Sequence, residues 1–326
     1  MTTIRWGILG CGRIAGNFAE AIPHAPGAVL AAAGSRTIEN ANKFADRFGI
    51  PARYGSYEEL AAAKDVDAIY VATPHPMHSA DSILCINHGK AVLTEKPFTI
   101  NTPQAQAIID AARNAGVFVM EAHWTRFIPM MAEVRRIVSE GEIGELRSVQ
   151  ADFGFRAEFD PTGRLFDVAL GGGALLDVGC YCVSLAVMLM GAPDRVNGVA
   201  EIGSTGVDEQ ATMSLGYADG KIAILSTAVR TNTQQEAVIC GTTGRIHIHS
   251  PWWKPSAITL IQDGKEKRNI EIPVTGNGFC YQISEVMSCV NSGKLESEIM
   301  PHQQTLEIMR IMDELRSQWG VQYPGE

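Results

Sequence analysis

Glu95-Lys96-Pro97 ends an apolar run, residues 91–94, and lies downstream of the turn Gly10-Cys11-Gly12-Arg13-Ile14-Ala15. That turn follows a strand-like run, 4–9, and opens a helical stretch reaching residue 21. A G-x-G-x-x-A turn between strand and helix is the context of a dinucleotide fingerprint. Gly10 allows the tight turn, and Gly12 lets backbone approach a pyrophosphate whose charge meets the N–H groups of the helix start. Arg13 and Ile14 complete the cofactor-binding turn. Glu95 and Lys96 fall where the fifth strand of such a sheet ends, and ligands of open α/β sheets sit outside the carboxyl ends of strands. Lys96 is therefore expected to point toward a nicotinamide, with Pro97 holding a cis or extended turn that fixes its direction. A solvated lysine beside a loop proline is the alternative reading.

The second constellation is Gly171-Gly172-Gly173 leading into an apolar helix that carries Asp177 and Tyr181. Four residues apart, both project from one helix face. A phenol beside an ammonium group can serve as a proton donor, and oxidation of an alcohol by a nicotinamide needs one, because the hydroxyl proton must leave as hydride moves. The competing reading makes Asp177 an early-helix carboxylate favoured by the dipole and Tyr181 a core aromatic.

After the second strand the chain reads Gly34-Ser35-Arg36, with no acid where an NAD-type ribose partner usually lies. Ser35 and Arg36 suit a 2′-phosphate, so NADP is the expected cofactor, with NAD possible. Thr73-Pro74-His75-Pro76-Met77-His78 follows the fourth strand at the same sheet edge, so Thr73, His75 and His78 count as cofactor-side residues; His78 also reads as a helix-start residue. Trp124 follows the sixth strand, and Trp252 and Trp253 form a loop cluster between Pro251 and Pro255. Lining a pocket and packing a core or dimer are both open to them.

Positioning these residues requires two domains. Residues 1–122 alternate strand-like runs (29–33, 68–72, 91–94, 118–122) with helical patterns, the grammar of a Rossmann, doubly wound parallel sheet. Residues 123–326 open with a helix near 129–140. Strand-like runs follow at 146–155, 196–202, 210–217, 221–229, 237–240, 245–249, 257–261 and 269–272, implying a large, mostly antiparallel open sheet. One helix, 174–190, interrupts them, and helical patterns at 278–292 and 303–318 close the chain, with room to pack back on the first domain.

Of 326 residues 46% are hydrophobic and 19% charged, a globular composition, and the net charge of −9 without a basic run argues against nucleic acid or an anionic membrane as partner. A small-molecule substrate is favoured. The longest apolar run, 178–190, is too short to span a bilayer. The first strand begins at once, leaving no room for a signal peptide, so a cytoplasmic protein is expected. Seven cysteines, an odd number lying mostly in apolar runs, read as reduced core residues. Cys180 and Cys182 lack a second ligand pair, and His247 and His249 share a strand face without an evident third ligand; no metal is expected.

Taken together, the segments 10–15, 54–60, 75–78, 95–97, 120–122 with 124–127, and 172–181 resemble the glucose–fructose oxidoreductase / inositol dehydrogenase (Gfo/Idh/MocA) family, most closely its dimeric dihydrodiol dehydrogenase branch. The resemblance runs nearly end to end. It implies an NAD(P)-dependent oxidoreductase acting on a sugar, polyol, vicinal diol or dicarbonyl. Lys96 and Tyr181 match the catalytic lysine and tyrosine, Asp177 the acidic helix partner, and Trp124, Phe153, Trp253 and Phe279 the substrate-lining positions. Tyr181 stands where inositol dehydrogenases carry His, which argues against a His-based relay. The family further implies a homodimer or dimer-based oligomer formed through the open sheet face. A non-catalytic dinucleotide-binding regulator of the same fold is the alternative; loss of the lysine or helix acid would mark it, and Lys96, Asp177 and Tyr181 are all present. Redox-neutral glycosidase chemistry ranks last, because those relatives carry a different helix motif.

Overall fold

The computed structural model describes residues 2–326. They form two compact units, one of residues 2–124 with Thr275–Thr305, the other Thr125–Val274 with Leu306–Glu326. The division expected at 122/123 falls two residues later, and the segment around the first closing helix joins the first unit.

In the first unit, β1 (Ile4–Leu9), β2 (Ala28–Gly34), β3 (Ala52–Tyr54), β4 (Ala68–Val71), β5 (Ala91–Thr94) and β6 (Val119–Glu121) make a six-stranded sheet in the order β3-β2-β1-β4-β5-β6. All pairs are parallel. Every residue of β4 and β5 is buried, as strands covered on both faces must be. Between them run α1 (Arg13–Ala21), α2 (Ile38–Phe48), α3 (Tyr57–Ala61), α4 (His78–Asn87) and α5 (Thr102–Ala115). Side chains of Thr37, Ser56 and Asn101 cap α2, α3 and α5 by accepting a backbone N–H. β3 has no counterpart among the expected runs: three residues long and only partly buried, it lacks the apolar signal of its neighbours. The late helix Cys280–Asn291 belongs to this unit because its buried Ile283, Val286 and Met287 need an apolar partner; Met287 packs at Gly27, just before β2.

In the second unit, α6 (Pro129–Ser139) precedes β7 (Leu146–Gly154). A π turn (Leu175–Gly179) runs into α7 (Cys180–Met190). Then follow β8 (Arg195–Ile202), β9 (Asp208–Gly216), β10 (Ile222–Ala228), β11 (Ala237–Gly241), β12 (Gly244–Ile248), β13 (Ala257–Gln262) and β14 (Arg268–Glu271). The sheet order is β14-β13-β12-β11-β7-β10-β9-β8, and only β7 with β10 is parallel. Strict alternation along β9 and β10 puts Ala211, Met213, Leu215, Ala223 and Leu225 in the core and leaves the other face open. The helical stretch Val168–Met190 is longer than the expected apolar run and apolar enough to cross a bilayer, but 83% of its most apolar window is buried in the protein, and α7 packs on β7 and β10. The C-terminal helix His302–Trp319 lays Leu315 and Trp319 against Gly198 of β8, where any Cβ would collide with them.

Candidate functional site

The turn after β1 is shaped for an anion. Gly10 has φ +94°, and a Cβ there would lie 2.9 Å from the Ala72 carbonyl oxygen. A Cβ on Gly12 would meet nothing within 4 Å, so the space above the start of α1 is open. Gly12 is the N-cap of that helix, with no side-chain cap and no acid in the first turn, which leaves the helix N–H groups and their positive dipole end for a ligand. Arg13 is exposed, Ile14 half-buried, Ser35 buried, and Arg36 exposed just past β2. These residues fit a dinucleotide phosphate.

Two strands along the same edge, about 10 Å away by strand spacing, the chain carries Lys96 on a rigid turn. The Lys96–Pro97 peptide is cis. Glu95 accepts from the Tyr70 hydroxyl and from the Lys96 N–H, 3.2 Å. His78 lies with Nδ1 2.8 Å from the Pro97 carbonyl and Nε2 2.8 Å from that of Thr73. The Phe98 N–H donates to Glu121, 3.0 Å. Burial pushes the Glu95 carboxyl up to about 7 and pulls the His78 imidazole down. His78 and Glu95, both expected on the cofactor side, are 0% and 5% exposed, and both brace this turn through these hydrogen bonds. Thr73 and His75 are also largely buried in the turn after β4.

In the second unit the glycine segment is anchored from two sides. The Tyr323 hydroxyl donates to the Gly172 carbonyl, 2.6 Å, and Asp208 accepts the Leu175 N–H, 2.6 Å, at the head of the π turn. Burial raises Asp208 to about 7. Asp177 lies within the π turn rather than in α-helix, and Tyr181 is the second residue of α7. A Cβ on Gly179 would touch Leu175 and Thr227, so its smallness serves contact with β10. Arg164 forks onto Asp177, Nη1 to Oδ1 at 2.9 Å and Nη2 to Oδ2 at 3.4 Å. Tyr181 meets the Phe153 ring edge-on at 5.4 Å, and Phe153 stacks on Trp253 at 5.1 Å and 2°. Trp253 is held by its Nε1–H to Gln235 Oε1, 3.2 Å, and by the Thr125 hydroxyl on its carbonyl, 2.6 Å. Gln235 itself has φ +57°.

The expected residues thus fall into two groups. The first unit holds the residue 10–14 turn, Ser35, Arg36, the 73–78 turn and Lys96, and also Trp124 stacked on Phe279 at 5.1 Å. The second joins Asp177, Tyr181, Phe153 and Trp253. Sequence reasoning missed Tyr70, Glu121, Arg164, Asp208 and Gln235 as supports. Of these, Glu121 stands in a segment that carries the resemblance, and Arg164 is a cation shortly before the glycine run.

Two family models match: an oxidoreductase family with an NAD-binding Rossmann fold over residues 4–123, and a GFO/IDH/MocA C-terminal domain over 131–247. The trans-1,2-dihydrobenzene-1,2-diol dehydrogenase of Xenopus tropicalis is 39% identical, covering 98% of this chain and 99% of its own. That of Homo sapiens is 34% identical, with 99% of each chain covered. A 3-ketoreductase from Actinomadura kijaniata, solved with NADP and TDP-benzene, superposes with TM-score 0.86 at 27% identity, covering 97% of this chain and 98% of that one. An aldose-aldose oxidoreductase from Caulobacter crescentus, complexed with glycerol, gives 0.87 at 26% identity and 96% of each. With both its sheets matched and relatives aligned nearly end to end, the chain belongs to the GFO/IDH/MocA family and is an NAD(P)-dependent oxidoreductase acting on CH–OH groups.

Proposed function

We propose that the protein interconverts a vicinal diol, sugar or polyol with the corresponding carbonyl compound, preferring NADP, with Lys96 and Tyr181 as its catalytic residues. The observation that carries this reading is the bracing of Lys96. Three buried side chains, Glu95, His78 and Glu121, hold one turn at the same sheet edge as the open space over Gly12, and a surface lysine has no use for such a support. When bound, the nicotinamide supplies or accepts the hydride. Gly10, Gly12 and the start of α1 hold the pyrophosphate, and Ser35 and Arg36 the 2′-phosphate. Lys96 Nζ orients and polarises the reacting oxygen, while Tyr181 Oη takes or returns its proton. Asp177, already paired with Arg164, accepts from a substrate hydroxyl. Trp124, Phe279, Phe153 and Trp253 offer apolar surface for the carbon skeleton.

The protein acts as a homodimer formed through the open face of the eight-stranded sheet. Val199, Ile222 and Ile224 are 75%, 48% and 53% exposed there, an apolar surface that a second copy would cover. Seven free thiols favour a reducing, cytoplasmic setting. The test is a panel of pentoses, hexoses, inositols and trans-dihydrodiols, assayed with both NADP+ and NAD+. Turnover of at least one class, abolished in Tyr181→Phe, is expected; no turnover of any class with either cofactor overturns the reading.

A further inference from the structure

A second constellation of ligand-type side chains lies on the eight-stranded sheet, wholly within the second unit. β11 and β12 are joined by the tight turn Thr242-Thr243 and pair with Ala237 opposite Ile248 and Val238 opposite His247. Their core face is fully committed: Ala237, Ile239, Ile246 and Ile248 are all buried. The period of two then sends His247, and with it Glu236 and His249 at the ends of the paired strands, to the opposite face. There the carboxylate and the two imidazoles each bring one ligand atom within 4.8 Å of the other two. Glu236 Oε2 lies 3.1 Å from His247 Nε2, and the two rings meet edge-on at 4.5 Å.

Ligand atoms at about 2.1 Å from a tetrahedral metal stand about 3.4 Å apart. Glu236 Oε2 and His247 Nε2, at 3.1 Å, are already near that spacing, and His249, within 4.8 Å, would close in on a bound ion. Outer contacts prepare the set as well. His249 Nε2 lies 2.9 Å from Thr259 Oγ1, and that hydroxyl donates to Asn269 Oδ1 at 2.9 Å. With its proton spent on Asn269, the Thr259 oxygen accepts the Nε2–H of His249, which leaves Nδ1 bare for a metal. The backbone is fixed too: the Glu236 N–H donates to Asp152 Oδ1, 3.3 Å, and the His249 N–H to the Ala257 carbonyl, 3.4 Å. As metal ligands, one carboxylate and two imidazoles would supply a single negative charge, in a chain of net charge −9. Two nitrogen donors favour Co2+, Ni2+, Cu2+ or Zn2+ over Mg2+ and Ca2+.

We propose that Glu236, His247 and His249 form a binding site for a divalent transition metal of the Zn2+ class, clamping β11 to β12. No step of the hydride chemistry depends on it. The test uses the untagged full chain, stripped with chelator and titrated with Co2+ and then Zn2+. Expected are one equivalent of Co2+ per chain, with visible ligand-field bands that Zn2+ abolishes, and an upward shift of the melting midpoint with Zn2+. His249→Ala and Glu236→Gln should lose the bands while keeping wild-type NADPH affinity, which shows the fold intact. Thr259→Val, which frees the His249 tautomer, should weaken Zn2+ about tenfold or more. Absence of ligand-field bands in the wild type, or equal affinity and stoichiometry in the wild type and a His247→Ala/His249→Ala double variant, overturns the proposal.

Discussion

Arg164 grips both carboxylate oxygens of Asp177, at 2.9 and 3.4 Å, although thirteen residues separate them in the chain. The arginine is half exposed and the aspartate almost fully buried. A planar guanidinium sets the carboxylate plane as a single lysine charge would not. Arg164 is thus a positioning residue for Asp177. Arg164→Ala should raise KM about tenfold, a loss of about 1.4 kcal/mol of substrate binding, with a smaller change in kcat and none in NADPH affinity. Steady-state kinetics with Arg164→Lys alongside gives the check; unchanged KM in Arg164→Ala refutes the positioning role.

Lys96→Met is expected to lower kcat by about a hundredfold or more, the range for losing acid/base or electrostatic help. Because the turn is braced through Glu95, Pro97 and Phe98, melting temperature and dinucleotide affinity should change far less. Near-normal turnover would make Lys96 a bystander.

Tyr181→Phe keeps the ring that meets Phe153 at 5.4 Å and removes only the hydroxyl. Turnover should fall steeply, the alkaline limb of the pH–rate profile should shift or vanish, and the melting midpoint should hardly move. A destabilised variant with intact kcat would restore the core-aromatic reading of this helix and turn attention to Asp177.

Arg36 stands exposed at the end of β2, where an acid would select NAD. Calorimetric titration should find NADPH bound more tightly than NADH, and Arg36→Asp should reverse the order. Equal wild-type affinities would remove the basis for the preference.

Glu95 links the site to pH-dependent stability. Its folded value is raised from 4.5 to about 7, chiefly by burial, so the folded chain holds a proton that the unfolded chain has already released. This contribution is complete below the unfolded value and is lost as pH rises through about 7, at about 1.4 kcal/mol per pH unit in between. Asp208, raised from 3.8 to about 7, acts in the same direction. Urea denaturation of wild type and Glu95→Gln across this window isolates the Glu95 share. The wild type should lose stability relative to the variant with rising pH, and a constant difference would show that Glu95 ionises normally in the fold.

The local signals in this chain were strong where an element announces itself by its own residues. The Gly10 and Gly12 turn, the apolar strands of the first sheet and the eight alternating runs of the second are legible because burial on one or both faces imposes a pattern on neighbouring positions. A family resemblance carried by Lys96, Asp177 and Tyr181 followed from the same segments. β3 was illegible for the complementary reason: three partly buried residues carry no period.

Tertiary structure alone decided what surrounds those residues. Tyr70 and Glu121 reach the Lys96 turn from two other strands, Asp208 caps a helix that starts 33 residues earlier, and Glu236 meets His247 across a hairpin. His78 is fixed in its turn because its ring lies between two carbonyls, one of them contributed from beyond β5. Such partners are chosen by register and by the need to satisfy buried polar groups, and a one-residue shift in any strand would replace them. A linear pattern records which face a residue takes; it holds no record of which residue stands opposite.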